Sequence, residues 1–188
     1  MLKGIIPFAH QLLDEHIGEG DIVIDATCGN GHDTVYLSKQ VAHKGRVYAF
    51  DVQTEAIENS KKRSQNEGLT NIEYIQDSHA RVKTYIKEQD VGQVAAAIFN
   101  LGYLPGSDKT IVTKATSTIE AVKQISDLLK KNGLIILVVY HGHTAGKLEK
   151  DELLQYVTQL DQADFSVLQY QFINQVNHPP FIIAIQKR

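Results

Sequence analysis

The chain has 188 residues, 43% hydrophobic and 22% charged, a composition that suits a globular protein with a sizeable core. With 19 Lys and Arg against 22 Asp and Glu the net charge is −3, so no global positive field coats polyanions, although a local patch on an enzyme stays compatible. The one cysteine, Cys28, excludes an intramolecular disulfide framework, no apolar run approaches the roughly 20 residues of a membrane span, and the start lacks a signal-peptide pattern. A cytoplasmic setting without membrane association is expected.

Ile5, Ala9, Leu12, Leu13 and His16 recur at helical spacing over 5–17, and Gly18-Glu19-Gly20 ends that helix. A strand at 21–25 leads through a glycine-spaced loop into a helix from about His32 to Ala42. Lys44-Gly45 turns into a second strand, Arg46 to Asp51, followed by a helix over 53–67 that closes at Glu67-Gly68. A third strand at 71–76 precedes a helix near 81–88, and the apolar run 93–99 reads as a buried fourth strand. Val112, Ala115, Ile119, Val122, Ile125 and Leu129 form the core stripe of the next helix, stopped at Asn132-Gly133. Leu134 to Tyr140 is a fifth strand, a helix carries Leu153, Leu154, Val157 and Leu160, and two strands close the chain at about 164–172 and 180–187. Helices alternate with strands five times without repeat or linker. The pattern predicts a single α/β domain over 1–188: a doubly wound, Rossmann-like, mostly parallel seven-stranded sheet with an antiparallel final strand and helices on both faces.

The chemistry concentrates in Asp25-Ala26-Thr27-Cys28-Gly29-Asn30-Gly31-His32-Asp33-Thr34. A strand ending in an acid, a Gly-x-Gly turn and a helix start is how a nucleotide-like ligand is held at the carboxyl edge of a parallel sheet. A dinucleotide site wants a third glycine where Thr34 stands, and Asp33 in the helix's first turn repels a pyrophosphate. S-adenosylmethionine carries a sulfonium and an amino group and no phosphate, so it suits these acids better than NAD does. Asp25, Thr27, Gly29, Asn30, Gly31, Asp33 and Thr34 are therefore assigned to the cofactor. Asp51, at the second strand tip, is placed for a bidentate hydrogen bond to the ribose hydroxyls, with Gln53 one turn on. At the third tip Asp77, Ser78 and His79 are candidates for the adenine, although these residues also read as a helix cap.

The loop after the fourth strand should face the reacting centre. Asn100 and Tyr103 form an N-x-x-Y element there: an Asn carbonyl accepts from an amine N–H and aims its lone pair, while Tyr103 stacks on a planar acceptor. The spacing resembles the N-P-P-Y element of amino-group methyltransferases, with Leu101 and Gly102 in place of the prolines. No G-x-S-x-G elbow supports a hydrolase. His141-Gly142-His143, with His178, lacks the paired cysteines or H-E-x-x-H of a zinc site, so no metal is assigned.

The glycine loop, Asn100-Leu101-Gly102-Tyr103-Leu104-Pro105-Gly106 and Tyr140-His141-Gly142-His143 together resemble the class I methyltransferases once labelled rRNA methylases. That group includes the bacterial tRNA 5-(aminomethyl)-2-thiouridine methyltransferase. The resemblance implies methylation of the aminomethyl group on the wobble uridine of tRNA, with S-adenosylhomocysteine (SAH) as product. It also implies contact with the anticodon stem-loop at Tyr103, Lys109, Lys114, Tyr140, His141, His143 and Lys147, and a homodimer. Alternatives are an N-methyltransferase of rRNA, a small molecule or a protein, a non-catalytic S-adenosylmethionine-binding module, and an NAD-dependent oxidoreductase.

Overall fold

The computed structural model describes residues 1–102, 106, 112–142 and 144–188. Its elements run α1 (Ile5–Asp14), β1 (Ile22–Asp25), α2 (His32–Val41), β2 (Arg46–Asp51), α3 (Thr54–Asn66), β3 (Ile72–Gln76), α4 (Val82–Tyr85), β4 (Val94–Leu101), α5 (Ala115–Leu128), β5 (Leu129–Val139), α6 (Thr144–Val157), β6 (Phe165–Tyr170) and β7 (Phe181–Lys187). The seven strands form one sheet in the order β3-β2-β1-β4-β5-β7-β6. The first five are parallel, and β7 is antiparallel to both β5 and β6. This is the doubly wound architecture that the alternation of patterns predicts.

Successive strand side chains point to opposite faces, so each strand feeds two cores. Val23, Val47, Ile98 and Ile136 pack under Ala9 and Leu13 of α1 and Leu37 and Val41 of α2. Ile24, Phe50, Phe99 and Leu137 pack under Val122 and Ile125 of α5 and Leu153 and Val157 of α6. No helix among the described residues is long and apolar enough to cross a membrane.

Three boundaries differ from the sequence reading. β4 runs on through Asn100 and Leu101, with Asn100 paired to Val138 of β5, so Asn100 lies in the strand and not in the loop after it. The helix expected near 81–88 is a single turn, Val82–Tyr85, flanked by 3-10 turns at His79–Arg81 and Glu88–Asp90. α5 stops at Leu128 because Leu129 turns extended and pairs with Val94, and Asn132 takes the left-handed conformation expected of an Asn at a turn.

The crossover β1-loop-α2 is pressed against α3. Gly31 caps α2 at φ 80°, and a Cβ there would meet Ser60 Cα at 2.7 Å and Ser60 Oγ at 2.5 Å. Gly31→Ala thus combines left-handed strain with a backbone collision, and a loss of about 2–4 kcal/mol is expected. Thermal unfolding reads it directly; an unchanged midpoint would mean that α3 yields freely.

Candidate active site

The strand order reverses between β1 and β4, and ligands of doubly wound sheets lie in the crevice beyond the strand ends at that point. Asp25 sits on one side of the switch and Asn100 on the other, bridged by the glycine loop. Asp25 is wholly buried; it accepts from Thr34 Oγ1 at 2.6 Å and from the Thr27 N–H at 3.2 Å. Thr27 in turn uses its hydroxyl to accept from the Asn100 N–H at 2.7 Å, tying the loop to β4. Gly29, with φ 49°, directs its N–H to Asp51 Oδ2 at 3.0 Å, and the Gln53 N–H reaches Asp51 Oδ1 at 3.0 Å. Backbone donors on both Asp51 oxygens fix the carboxylate, and its remaining lone pairs suit a diol.

Asn30 leans on α3: its carbonyl accepts from Arg63 Nε at 2.8 Å and its Oδ1 from Asn59 Nδ2 at 3.2 Å. Asp33 points across the switch, accepting from Asn100 Nδ2 at 2.6 Å. Asp77 is held by the Tyr85 hydroxyl at 2.6 Å, the Ser78 N–H at 2.7 Å and Arg81 at 2.9 Å. The first of these, joined by the other two, keeps its carboxyl below the usual range. Ser78 caps the 3-10 turn, accepting from the Ala80 N–H at 3.2 Å. His79 donates from Nδ1 to the Ala26 carbonyl at 3.0 Å, and burial keeps its pKa low. The neutral ring therefore leaves Nε2 as a buried acceptor with no partner among the described residues.

Charge in this pocket is unbalanced. Burial, then Asp33, raise Asp25 to about 7, against the opposing bonds from Thr34 and Thr27, and burial raises Asp51 as well. Burial, then Asp25 and Asp51, push the Cys28 thiol up, so it is no nucleophile. A site of this kind gains from a cationic ligand and would reject a pyrophosphate. An orphaned acceptor at His79 and a diol-ready Asp51 complete the fit to S-adenosylmethionine, whose adenine and amino groups supply N–H donors.

The matching family model, described as "Putative rRNA methylase", covers residues 47–186. A chloroplastic tRNA (mnm(5)s(2)U34)-methyltransferase of Arabidopsis thaliana is 36% identical over 188 residues, covering 95% of this chain and 68% of that protein. The chain belongs to the rRNA methylase family. Members of solved structure superimpose closely: a "putative rRNA-methylase" from Clostridium thermocellum has a TM-score of 0.96 at 38% identity, with both chains fully covered. A "putative methyltransferase" from Streptococcus mutans, in complex with SAH, has a TM-score of 0.91 at 38% identity over the full length of both chains. Like its family, the chain is an S-adenosylmethionine-dependent methyltransferase.

The rim residues implied by the resemblance separate into groups. Tyr103, Lys109 and His143 lie outside the described residues. Lys114 and Lys147 are exposed at the starts of α5 and α6, and Tyr140 is 40% exposed, its hydroxyl pKa raised by burial and by Asp33. His141 differs from the expectation of an RNA contact on the rim. It is buried, donates from Nε2 to the Pro179 carbonyl at 3.0 Å and packs edge-on against Phe181, because the turn after β5 carries it over the β7 entrance. Two residues went unnoticed in the sequence. His10 of α1 lies 2.7 Å from Asp33, and the buried Glu149 of α6 accepts from Thr113 at 2.7 Å and Thr118 at 3.0 Å, fastening α6 to the start of α5.

The state of Asp25 makes two measurements pH-dependent. A raised carboxyl pKa means that the folded protein holds a proton the unfolded chain has released. Asp25 therefore costs stability as pH rises from about 4 to about 7, by up to about 4 kcal/mol for a shift of this size. Asp25→Asn removes that cost, so its gain in unfolding midpoint over wild type should be larger at pH 8 than at pH 5. A cationic ligand favours the ionised form, so S-adenosylmethionine should bind up to about tenfold tighter at pH 8 than at pH 6. Calorimetric titration at the two pH values checks this, and a flat profile would remove Asp25 from the cation's surroundings.

Proposed function

We propose that the chain is a single-domain N-methyltransferase acting on the 5-aminomethyl group of the wobble (2-thio)uridine of tRNA, giving the methylaminomethyl form. The observation that carries the reading is the amide of Asn100. A carboxylate only accepts, so the 2.6 Å contact with Asp33 uses the amide nitrogen and leaves Oδ1 as the free face. A carbonyl at this position accepts an N–H from a primary amine and turns its lone pair toward the methyl carbon. The identity to the Arabidopsis wobble methyltransferase supports the nucleoside; the cytoplasmic setting and the homodimer are expectations from the sequence alone.

When bound, S-adenosylmethionine supplies a sulfonium methyl that is electrophilic without further activation. The chain's residues then align and shield. Asp51 holds the ribose through the oxygens that the Gly29 and Gln53 amides orient. Asp25 and Asp33 give the pocket its negative potential, and His79 Nε2 offers its buried lone pair to a ligand N–H. Asn100 Oδ1 would accept a hydrogen bond from one amine N–H and so aim the nitrogen lone pair at the methyl; the N–C bond would form as the S–C bond breaks, and the one surplus amine proton would leave to solvent. Tyr103 is assigned the stacking of the acceptor base, with Lys109, Lys114, Tyr140, His143 and Lys147 around the anticodon stem-loop. The family's own description favours rRNA as the second reading of the acceptor.

Mass analysis of tRNA nucleosides from a deletion strain tests the acceptor: unmethylated aminomethyl-uridine should accumulate, and an unchanged nucleoside profile would remove this substrate. In the purified enzyme Asn100→Ala should lower kcat by about 10- to 100-fold with SAH affinity near normal, the signature of an interaction made in the transition state. Asp51→Ala should do the opposite and weaken SAH binding at least tenfold, because a buried bidentate contact is lost. Equal SAH affinity in the Asp51 variant would move the ribose elsewhere.

A further inference from the structure

One of the bonds that hold Asn100 leads away from the crevice into the first helix of the chain. Asp33 Oδ2 accepts from Asn100 Nδ2, and Asp33 Oδ1 lies 2.7 Å from His10 Nε2. The carboxylate side chain is 12% exposed, so it is fixed largely by these two partners. His10 is itself clamped. Its ring stacks on Tyr36 with centroids 3.9 Å apart and planes 7° apart, and the Tyr36 hydroxyl bonds both the His10 carbonyl, at 3.1 Å, and Asp14. The buried face of α1 is carried by Ile5, Ala9 and Leu13, so the helix does not need an imidazole at position 10 to cover the sheet. What position 10 adds is a donor aimed at the carboxylate that grips Asn100.

We propose that His10 is a positioning residue for methyl transfer: through Asp33 it locks the amide plane of Asn100 so that Oδ1, and not Nδ2, meets the acceptor amine. The inference rests on the amine-methylating reading given above. Without His10 the Asp33 carboxylate is free to turn, and the Asn100 amide loses the partner that distinguishes its two ends. A flipped amide sets N–H against N–H, which repels the amine and misdirects its lone pair. The effect falls on turnover, since Asp51, assigned to the ribose, ends β2 and the His79 acceptor sits in the 3-10 turn after β3, both away from α1.

The test uses the full-length enzyme with His10→Ala, His10→Gln and Asn100→Ala. Three quantities are read: kcat and KM on tRNA carrying the aminomethyl nucleoside, SAH affinity by titration, and the side-chain amide ¹H–¹⁵N signals of Asn100, identified by their loss in Asn100→Ala. His10→Ala should lower kcat roughly tenfold, with KM and SAH affinity within about threefold of wild type, and should move the Asn100 amide pair toward unbonded shifts. Gln can still donate to Asp33, so His10→Gln should recover most of the turnover and the amide shifts. Unchanged kcat and amide signals in His10→Ala would overturn the proposal, as would a loss explained wholly by SAH affinity. So would a Gln variant as slow as Ala with wild-type Asn100 signals. A wild-type enzyme inert toward the aminomethyl nucleoside would end the substrate reading instead, and the amide signals would then decide the relay alone.

Discussion

The structure depends on a carboxylate that the fold buries with no positive partner among the described residues. Asp25 lies at the tip of β1 with no exposed surface, and its two neighbours in charge, Asp33 and Asp51, are also acids. Two hydrogen bonds, from Thr34 and Thr27, are what the fold provides in compensation. The remaining cost is carried by the folded protein, and in the proposed site the cationic cofactor relieves it. Ligand affinity and fold stability are thus opposed at one residue, as is common where a site must be ready before its ligand is present. The same two threonines also set the loop geometry, because Thr34 anchors the first turn of α2 and Thr27 anchors the end of β4.

That coupling explains why the crevice forms where the sheet reverses. β1 is the central strand between β2 and β4, with Asp25 opposite Ala49 on one side and Ile98 on the other. The loop leaving it has to satisfy both neighbours, and it does so with backbone: the Cys28 N–H bonds the Phe50 carbonyl, and the Ala26 N–H bonds the Ile98 carbonyl. In the proposed reading, a cofactor over this loop would meet the tips of β1, β2 and β3 and turn its reactive end to β4. The acidic half and the acceptor half of the site are therefore parts of one hydrogen-bonded surface, and a change at Thr27 would be felt on both sides.

Much of this was legible in the chain because strands that end in an acid are a local pattern. Val23-Ile24-Asp25 and Ala49-Phe50-Asp51 carry their own signal, and Gly29-x-Gly31 names the turn between strand and helix. What escaped were interactions between distant elements. His10 occupies an ordinary polar position of an amphipathic helix, and nothing in its neighbours shows that Asp33 will stand beside it. As a polar residue ending the apolar run 93–99, Asn100 reads as loop, yet its pairing with Val138 keeps it in β4. The family resemblance puts His141 on the rim; the packing against Phe181 and the bond to the Pro179 carbonyl show that its ring turns inward.

The position of Asn100 in a strand also bears on the two prolines that an N-P-P-Y loop would carry and this chain lacks. Prolines stiffen such a loop by fixing φ, which limits how far the Asn can wander. Here Leu101 and Gly102 follow, and the stiffness has other sources. The Asn100 backbone is held by the β4–β5 ladder and by the Thr27 hydroxyl at 2.7 Å, and the next carbonyl, that of Leu101, accepts from the Tyr140 N–H at 3.1 Å. The side chain is fixed by Asp33, which His10 fixes in turn. Rigidity that a proline pair would supply locally is supplied by the sheet and by the first helix. On this account the loss of the prolines does not weaken the assignment of Asn100 to the acceptor. It moves the burden of orientation onto residues far away in sequence, which is why the relay from α1 reaches the site at all.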